Sequence, residues 1–127
     1  MGRGHCLCGA VGFRFEPTAV RWRGHCHCES CRRNCAAPFT TFFGVADDGW
    51  AWEGTEPAVY ASSDHAERLF CATCGSPVAY RSTRQPGETH FYAAALEDSS
   101  GFVPEMHFHW SEHVAWVHLS DDLPRKG

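Results

Sequence analysis

No stretch of this 127-residue chain approaches the ~18 uninterrupted apolar residues of a membrane span, and the run from Phe91 to Leu96 is far too short. The opening residues Met1-Gly2-Arg3-Gly4-His5-Cys6 hold no apolar stretch of the length a secretory signal needs. Cys6 also stands where N-myristoylation requires Ser or Thr. These absences predict a cytoplasmic protein with no membrane partner. An excess of positive charge is missing too: 11 Lys and Arg against 15 Asp and Glu give a net charge of −4, which disfavours nucleic acid as a partner.

Helical periodicity is equally scarce. No window of eleven or more residues sustains the i, i+3, i+4, i+7 apolar pattern, and only a turn or so of helix is expected after Cys28. There is no repeat at a fixed period, no low-complexity tract and no obvious linker. The length suits one compact domain over residues 1–127 and is too short for two. What is present is alternation: Val11, Phe13 and Phe15 read as a strand, and Val20 with Trp22 as another. Further strands are expected at Phe39 to Val45, Trp50 to Glu53, Ala58 to Ser62, Val78 to Arg81, His90 to Leu96 and Ala115 to Leu119. Ser82 to Glu88 and Glu97 to Gly101 read as surface loops, and Pro124 to Gly127 as a terminus that frays. The predicted class is mainly β, with little helix.

The eight cysteines fall into three groups: Cys6-Leu7-Cys8; Cys26-His27-Cys28-Glu29-Ser30-Cys31 with Cys35 close behind; and Cys71-Ala72-Thr73-Cys74. In a reducing cytosol such C-x-C and C-x-x-C spacings point to metal, zinc ahead of iron, rather than to disulfides. Structural zinc takes four ligands, so the flanking pairs combine as Cys6, Cys8, Cys71 and Cys74, with Gly9 and Gly75 supplying permissive backbone after each pair. The middle group leaves three sulfurs, Cys26, Cys28 and Cys31; three protein ligands and one open position is the pattern of a catalytic ion. Cys35 either closes that position as a fourth ligand or stays a free thiol beside it. Two Zn2+ with seven thiolates would take the chain's charge to about −7.

These residues resemble the glutathione-dependent formaldehyde-activating enzyme family. The resemblance runs through Gly4-His5-Cys6-Leu7-Cys8-Gly9-Ala10-Val11, Cys26-His27-Cys28-Glu29-Ser30-Cys31-Arg32 and Phe70-Cys71-Ala72-Thr73-Cys74-Gly75-Ser76-Pro77. It continues into Pro104-Glu105-Met106-His107, Trp116 and Asp121-Asp122-Leu123-Pro124, and so covers essentially the whole chain. It implies a zinc-stapled, β-tent-like fold with a structural zinc on Cys6, Cys8, Cys71 and Cys74 and a catalytic zinc on Cys26, Cys28 and Cys31. The chain departs from the family pattern at Cys35-Ala36, where members more often carry Ser or Thr followed by Gly.

The implied activity is that of a carbon–sulfur lyase: glutathione's sulfur, activated at the open position, adds to formaldehyde to give S-hydroxymethylglutathione. Another small thiol or aldehyde would use the same chemistry, and a non-enzymatic module with two structural zincs is the alternative from another class. Arg21, Arg23, Arg32 and Arg33 flank the second cysteine group and suit either carboxylate recognition or charge compensation. His27, between two ligand cysteines, should point away from the ion, as an orienting or exposed residue. His107 and His109 are expected on one strand face, in core or surface roles or lining a pocket with Trp110.

Overall fold

Alternating large apolar and small or polar residues build ten strands, described over residues 1–127 in a computed structural model. In chain order they are β1 (Gly2–His5), β2 (Val11–Phe15), β3 (Val20–Cys26), β4 (Thr40–Ala46), β5 (Trp50–Gly54), β6 (Ala58–Ala61), β7 (Ala66–Phe70), β8 (Pro77–Ser82), β9 (Glu88–Tyr92) and β10 (His107–Phe108). The one α-helix, α1 (Glu29–Cys35), lies between β3 and β4; the rest of the helical content is short 3-10 turns. The protein is mainly β, as its alternation predicts. A three-stranded sheet runs β1-β2-β5, and a seven-stranded sheet runs β10-β3-β4-β9-β8-β7-β6. Every pairing between these strands is antiparallel except β10 on β3.

Period-two alternation gives the large sheet two different faces. Phe43, Val45, Phe91, Ala79 and Leu69 join Val11 and Phe13 of the small sheet in the main core. There Phe13 stacks on Phe91 at 4.2 Å between centroids. Phe13, Phe43 and Phe91 are almost completely buried, and each contributes about 2 kcal/mol of transfer free energy. The neighbours one residue along, Phe42 and Tyr92, belong to a second cluster with Cys26 and Cys31, which carries α1 against the other face. Cys6 and Cys71 belong to the first cluster. Each cysteine group is thus seated on its own apolar cluster.

The structure corrects several expectations. The strand expected over His90 to Leu96 starts at Glu88 and stops at Tyr92, where Ala93–Ala95 turns as a 3-10 helix. Ala115 to Leu119 forms turn and irregular chain, since no neighbouring strand edge takes up its backbone. β1, β7 and β10 are additional: β1 is half glycine, β7 carries adjacent charges, and β10 is two residues long. The terminus does not fray, because the His107 N–H donates to Pro124 O, Lys126 N–H to His107 O and Trp110 N–H to Lys126 O, each at 2.8 Å. Arg125 also lies over the Trp110 ring at 4.6 Å. No helix is long and apolar enough to cross a membrane.

Candidate metal centres

Cys6 and Cys8 flank the turn that leaves β1, and Cys71 and Cys74 flank the turn that leaves β7. Gly9 and Gly75 follow these pairs with φ of +83° and +80°, a backbone that glycine adopts without steric cost. The Leu7 N–H donates to Ser76 Oγ at 3.0 Å, tying the two turns together. All four sulfurs lie within 4.8 Å of one another. Cys6 and Cys8 are 3.6 Å apart and Cys8 and Cys71 3.8 Å. A tetrahedron of zinc–sulfur bonds has edges of about 3.8 Å, so the donor set fits such an ion. Backbone N–H groups already point at the sulfurs as they would at thiolates: Val11 at Cys6 (3.4 Å) and Cys74 at Cys71 (3.5 Å). The Ser76 hydroxyl and backbone N–H lower the Cys74 thiol to about 5.

Cys26 ends β3, Cys28 caps the N-terminus of α1, and Cys31 lies in its first turn. The Cys28 sulfur accepts the Cys31 N–H at 3.3 Å, so the residue caps the helix while facing its neighbours. These three sulfurs also lie within 4.8 Å of one another. Cys35 is outside the group, half-buried four residues further along the helix, its thiol 3.9 Å from Arg32 O. Hydrogen bonds from Cys26 and Cys31 pull Cys28 down to about 2, while bonds shared with Cys28 and Cys31 push Cys26 far up. Three protons cannot all leave so small a space without a cation to replace them. Both groups could therefore hold a metal ion, and all-sulfur donors suit a borderline or soft one.

The side chain that meets the second group is Arg68 of β7, which the spacing of the cysteines did not reveal. Register carries it there: Arg68 pairs with Tyr80 of β8, and Tyr80 with His90 of β9, on the face opposite the main core. Arg68 is 4% exposed and donates to Cys31 Sγ from both Nη1 (3.4 Å) and Nη2 (3.5 Å). It also donates to Ser30 Oγ at 2.7 Å and Tyr92 Oη at 3.4 Å, and lies over the Tyr80 ring at 4.6 Å. Burial disfavours its charge, yet Cys31 more than compensates and raises its pKa. None of the four arginines that flank the second cysteine group in the chain donates to its sulfurs. Arg21 and Arg33 form exposed pairs with Glu88 and Glu29, Arg32 donates to His27 O at 3.0 Å, and Arg23 contacts neither group's sulfurs.

His27 joins neither set of sulfurs and is buried rather than exposed. Its Nε2 is hydrogen-bonded to His107 Nδ1 at 2.8 Å, and His107 Nε2–H donates to the Asp121 carboxylate, 3.0 Å from each oxygen. The acceptor-only carboxylate fixes a proton on His107 Nε2. Burial, with His107 and His25 close by, lowers His27 to about 4, so it is neutral near pH 7. This bond chain ties the loop between Cys26 and Cys28 to the C-terminal segment. His107 and His109 do not share a strand face: β10 stops at Phe108, and His109 turns left-handed with φ +55°.

The profile of the family described as glutathione-dependent formaldehyde-activating enzyme matches residues 1–112. The chain belongs to that family. A Schizosaccharomyces pombe protein named an uncharacterized lyase is 36% identical over 88 residues, covering 65% of this chain and 61% of its own length. A Halomonas elongata protein, provisionally named a glutathione-dependent formaldehyde-activating enzyme, is 26% identical over 124 residues, 91% of this chain and 79% of that one. The crystal structure of a Rhodobacter sphaeroides protein superposes with a TM-score of 0.59 at 25% identity, covering 75% of this chain and 87% of that one. The match to the formaldehyde-activating family spans all seven clustered cysteines and Arg68.

Proposed function

We propose that this protein is a zinc-dependent carbon–sulfur lyase of the S-(hydroxymethyl)glutathione synthase type, joining glutathione to formaldehyde in the cytoplasm, with residues 1–127 working as one unit. The observation that carries the reading is that Cys26, Cys28 and Cys31 converge while Cys35 stays apart, which leaves a tetrahedral ion one position short. Cys6, Cys8, Cys71 and Cys74 would hold the structural zinc, and Cys26, Cys28 and Cys31 the catalytic one.

When bound at the second group, zinc supplies a Lewis acid that favours the ionised form of an incoming thiol. The residues around it do the rest. Half-buried Cys28 marks the side open to a substrate, while buried Cys26 and Cys31 seal the side toward the sheet. The Cys31 N–H and the Arg68 guanidinium hold the sulfurs in place, and the His27–His107–Asp121 bonds fix the loop that presents two of them. Glutathione's sulfur, its proton given to water, forms a bond to the carbonyl carbon of formaldehyde. The carbonyl oxygen takes up a proton from water, so the addition is balanced and reversible.

Exchange of the glutathione–formaldehyde adduct, followed by NMR with and without the zinc-loaded protein, tests this. We expect acceleration of at least about tenfold. A rate equal to that of the protein-free mixture would contradict this substrate pair.

A further inference from the structure

Arg68 is a buried cation without a carboxylate. None of the ion pairs in the molecule includes it, and its neighbour Glu67 is turned away to Arg81 at 2.6 Å. Its guanidinium is divided between Cys31 Sγ, Ser30 Oγ and Tyr92 Oη, and its Nε has no partner at all. A buried charge so placed needs a counter-charge, and the only ionisable partners in contact with it are a thiol and a phenol. Of the two, only the Cys31 sulfur takes N–H groups from both terminal guanidinium nitrogens, Nη1 and Nη2.

The first cysteine group shows that this contact is not a general need of clustered thiolates. Its sulfurs take bonds from the Val11 and Cys74 N–H groups and from the Ser76 hydroxyl, and from no cationic side chain. That group is closed by four sulfurs, with Cys8 exposed to water. The second group brings together three sulfurs, one short of the four a tetrahedral ion takes.

We propose that Arg68 is the counterion of the three-sulfur centre and sets that centre's affinity for an anionic fourth ligand, a thiolate. The proposal rests on the reading of Cys26, Cys28 and Cys31 as a metal site with an open position. A divalent ion on three thiolates carries a net charge of −1. A thiol that binds and releases its proton to water would bring the centre to −2, and the guanidinium in contact with Cys31 restores −1. A unit charge acting over roughly 6–7 Å in a partly buried site is worth about one to two powers of ten in such an equilibrium. Arg68 is thus a positioning and electrostatic residue that acts on the incoming sulfur through Cys31.

The test uses the full chain loaded with cobalt(II) at both sites, whose thiolate-to-cobalt absorption reports occupancy, titrated with glutathione. Arg68→Met removes the charge, and Arg68→Lys keeps it while losing the forked contact. We expect glutathione to bind the Met variant about tenfold to a hundredfold more weakly than the unaltered protein and the Lys variant within about threefold, with the four-sulfur site loaded in both. Loss of the second cobalt from the Met variant but not from the Lys variant supports the same conclusion. Equal weakening of both variants, loss of the second cobalt from both, or a Met variant that binds glutathione as the unaltered protein does would overturn it. An unaltered protein whose spectrum ignores glutathione overturns the underlying reading of an open position before any variant is compared.

Discussion

At the scale of single residues, the two cysteine groups are built for different losses. Cys71 is 1% exposed and belongs to the main core, so Cys71→Ser removes a ligand and places a hydroxyl among Val11, Phe13 and Leu69. The expected outcome is loss of a cooperative unfolding transition, since structural zinc sites supply apparent free energies of about 10–16 kcal/mol, the size of a small domain's whole stability. Cys28 is half-buried and caps α1, and serine is itself a good capping residue. Cys28→Ser should therefore keep the fold, within about 1 kcal/mol apart from the lost ion, and lower the metal content from two ions to one. Circular dichroism melts and metal analysis of the two variants check this pair; equal unfolding would mean that both groups are structural. The grouping of Cys6 and Cys8 with Cys71 and Cys74, apart from Cys26, Cys28 and Cys31, was legible from spacing, because C-x-C and C-x-x-C segments bring neighbouring sulfurs together; that Cys35 stands outside was not. Nor was Arg68, because only the pairing of β7 with β8 brings it under Cys31, and locally it is one of two adjacent charges, Glu67 and Arg68, between Ala66 and Leu69.

At the scale of elements, α1 ends on a residue other than glycine in a backbone conformation that favours glycine. Ala36 closes the helix in the left-handed region at φ 52°, ψ 46°, its N–H donating to Arg32 O. Glycine is favoured at that position, and the family pattern more often carries it there. Ala36→Gly should raise stability by about 1 kcal/mol, a shift of about 2–5 °C in Tm readable by calorimetry, without loss of either ion. A lower Tm would contradict the strain assigned to Ala36. The alternating runs that became β2, β4, β5 and β8 were readable because their apolar side chains meet a core at period two, whereas β6 was readable from composition, its Val59 and Tyr60 being exposed. β10 was not, since its two residues are held by β3 on one side and by the chain around Arg125 on the other. Ala115 to Leu119 shows the converse: its composition suits a strand, but it pairs with no sheet edge.

At the scale of the whole molecule, the large sheet keeps the two cysteine groups on different apolar clusters. One face joins the small sheet in the core that includes Cys6 and Cys71; the other carries α1, Cys26, Cys31 and Arg68. Four sulfurs tie the turn after β1 to the turn after β7, 65 residues apart between Cys6 and Cys71 in the chain, so an ion there would lock the two sheets together. Cys26 at the end of β3 and Cys28 and Cys31 at the start of α1 are neighbours in the chain and cannot act as such a lock; the proposed function gives them an open position instead. Cadmium NMR of the protein loaded with two cadmium ions tests that asymmetry most directly, because cadmium's resonance depends on how many sulfurs surround it. The account predicts two resonances, one unmoved by glutathione and the other shifted as a fourth sulfur joins it. Two resonances that both ignore glutathione, or a single ion bound, would contradict it.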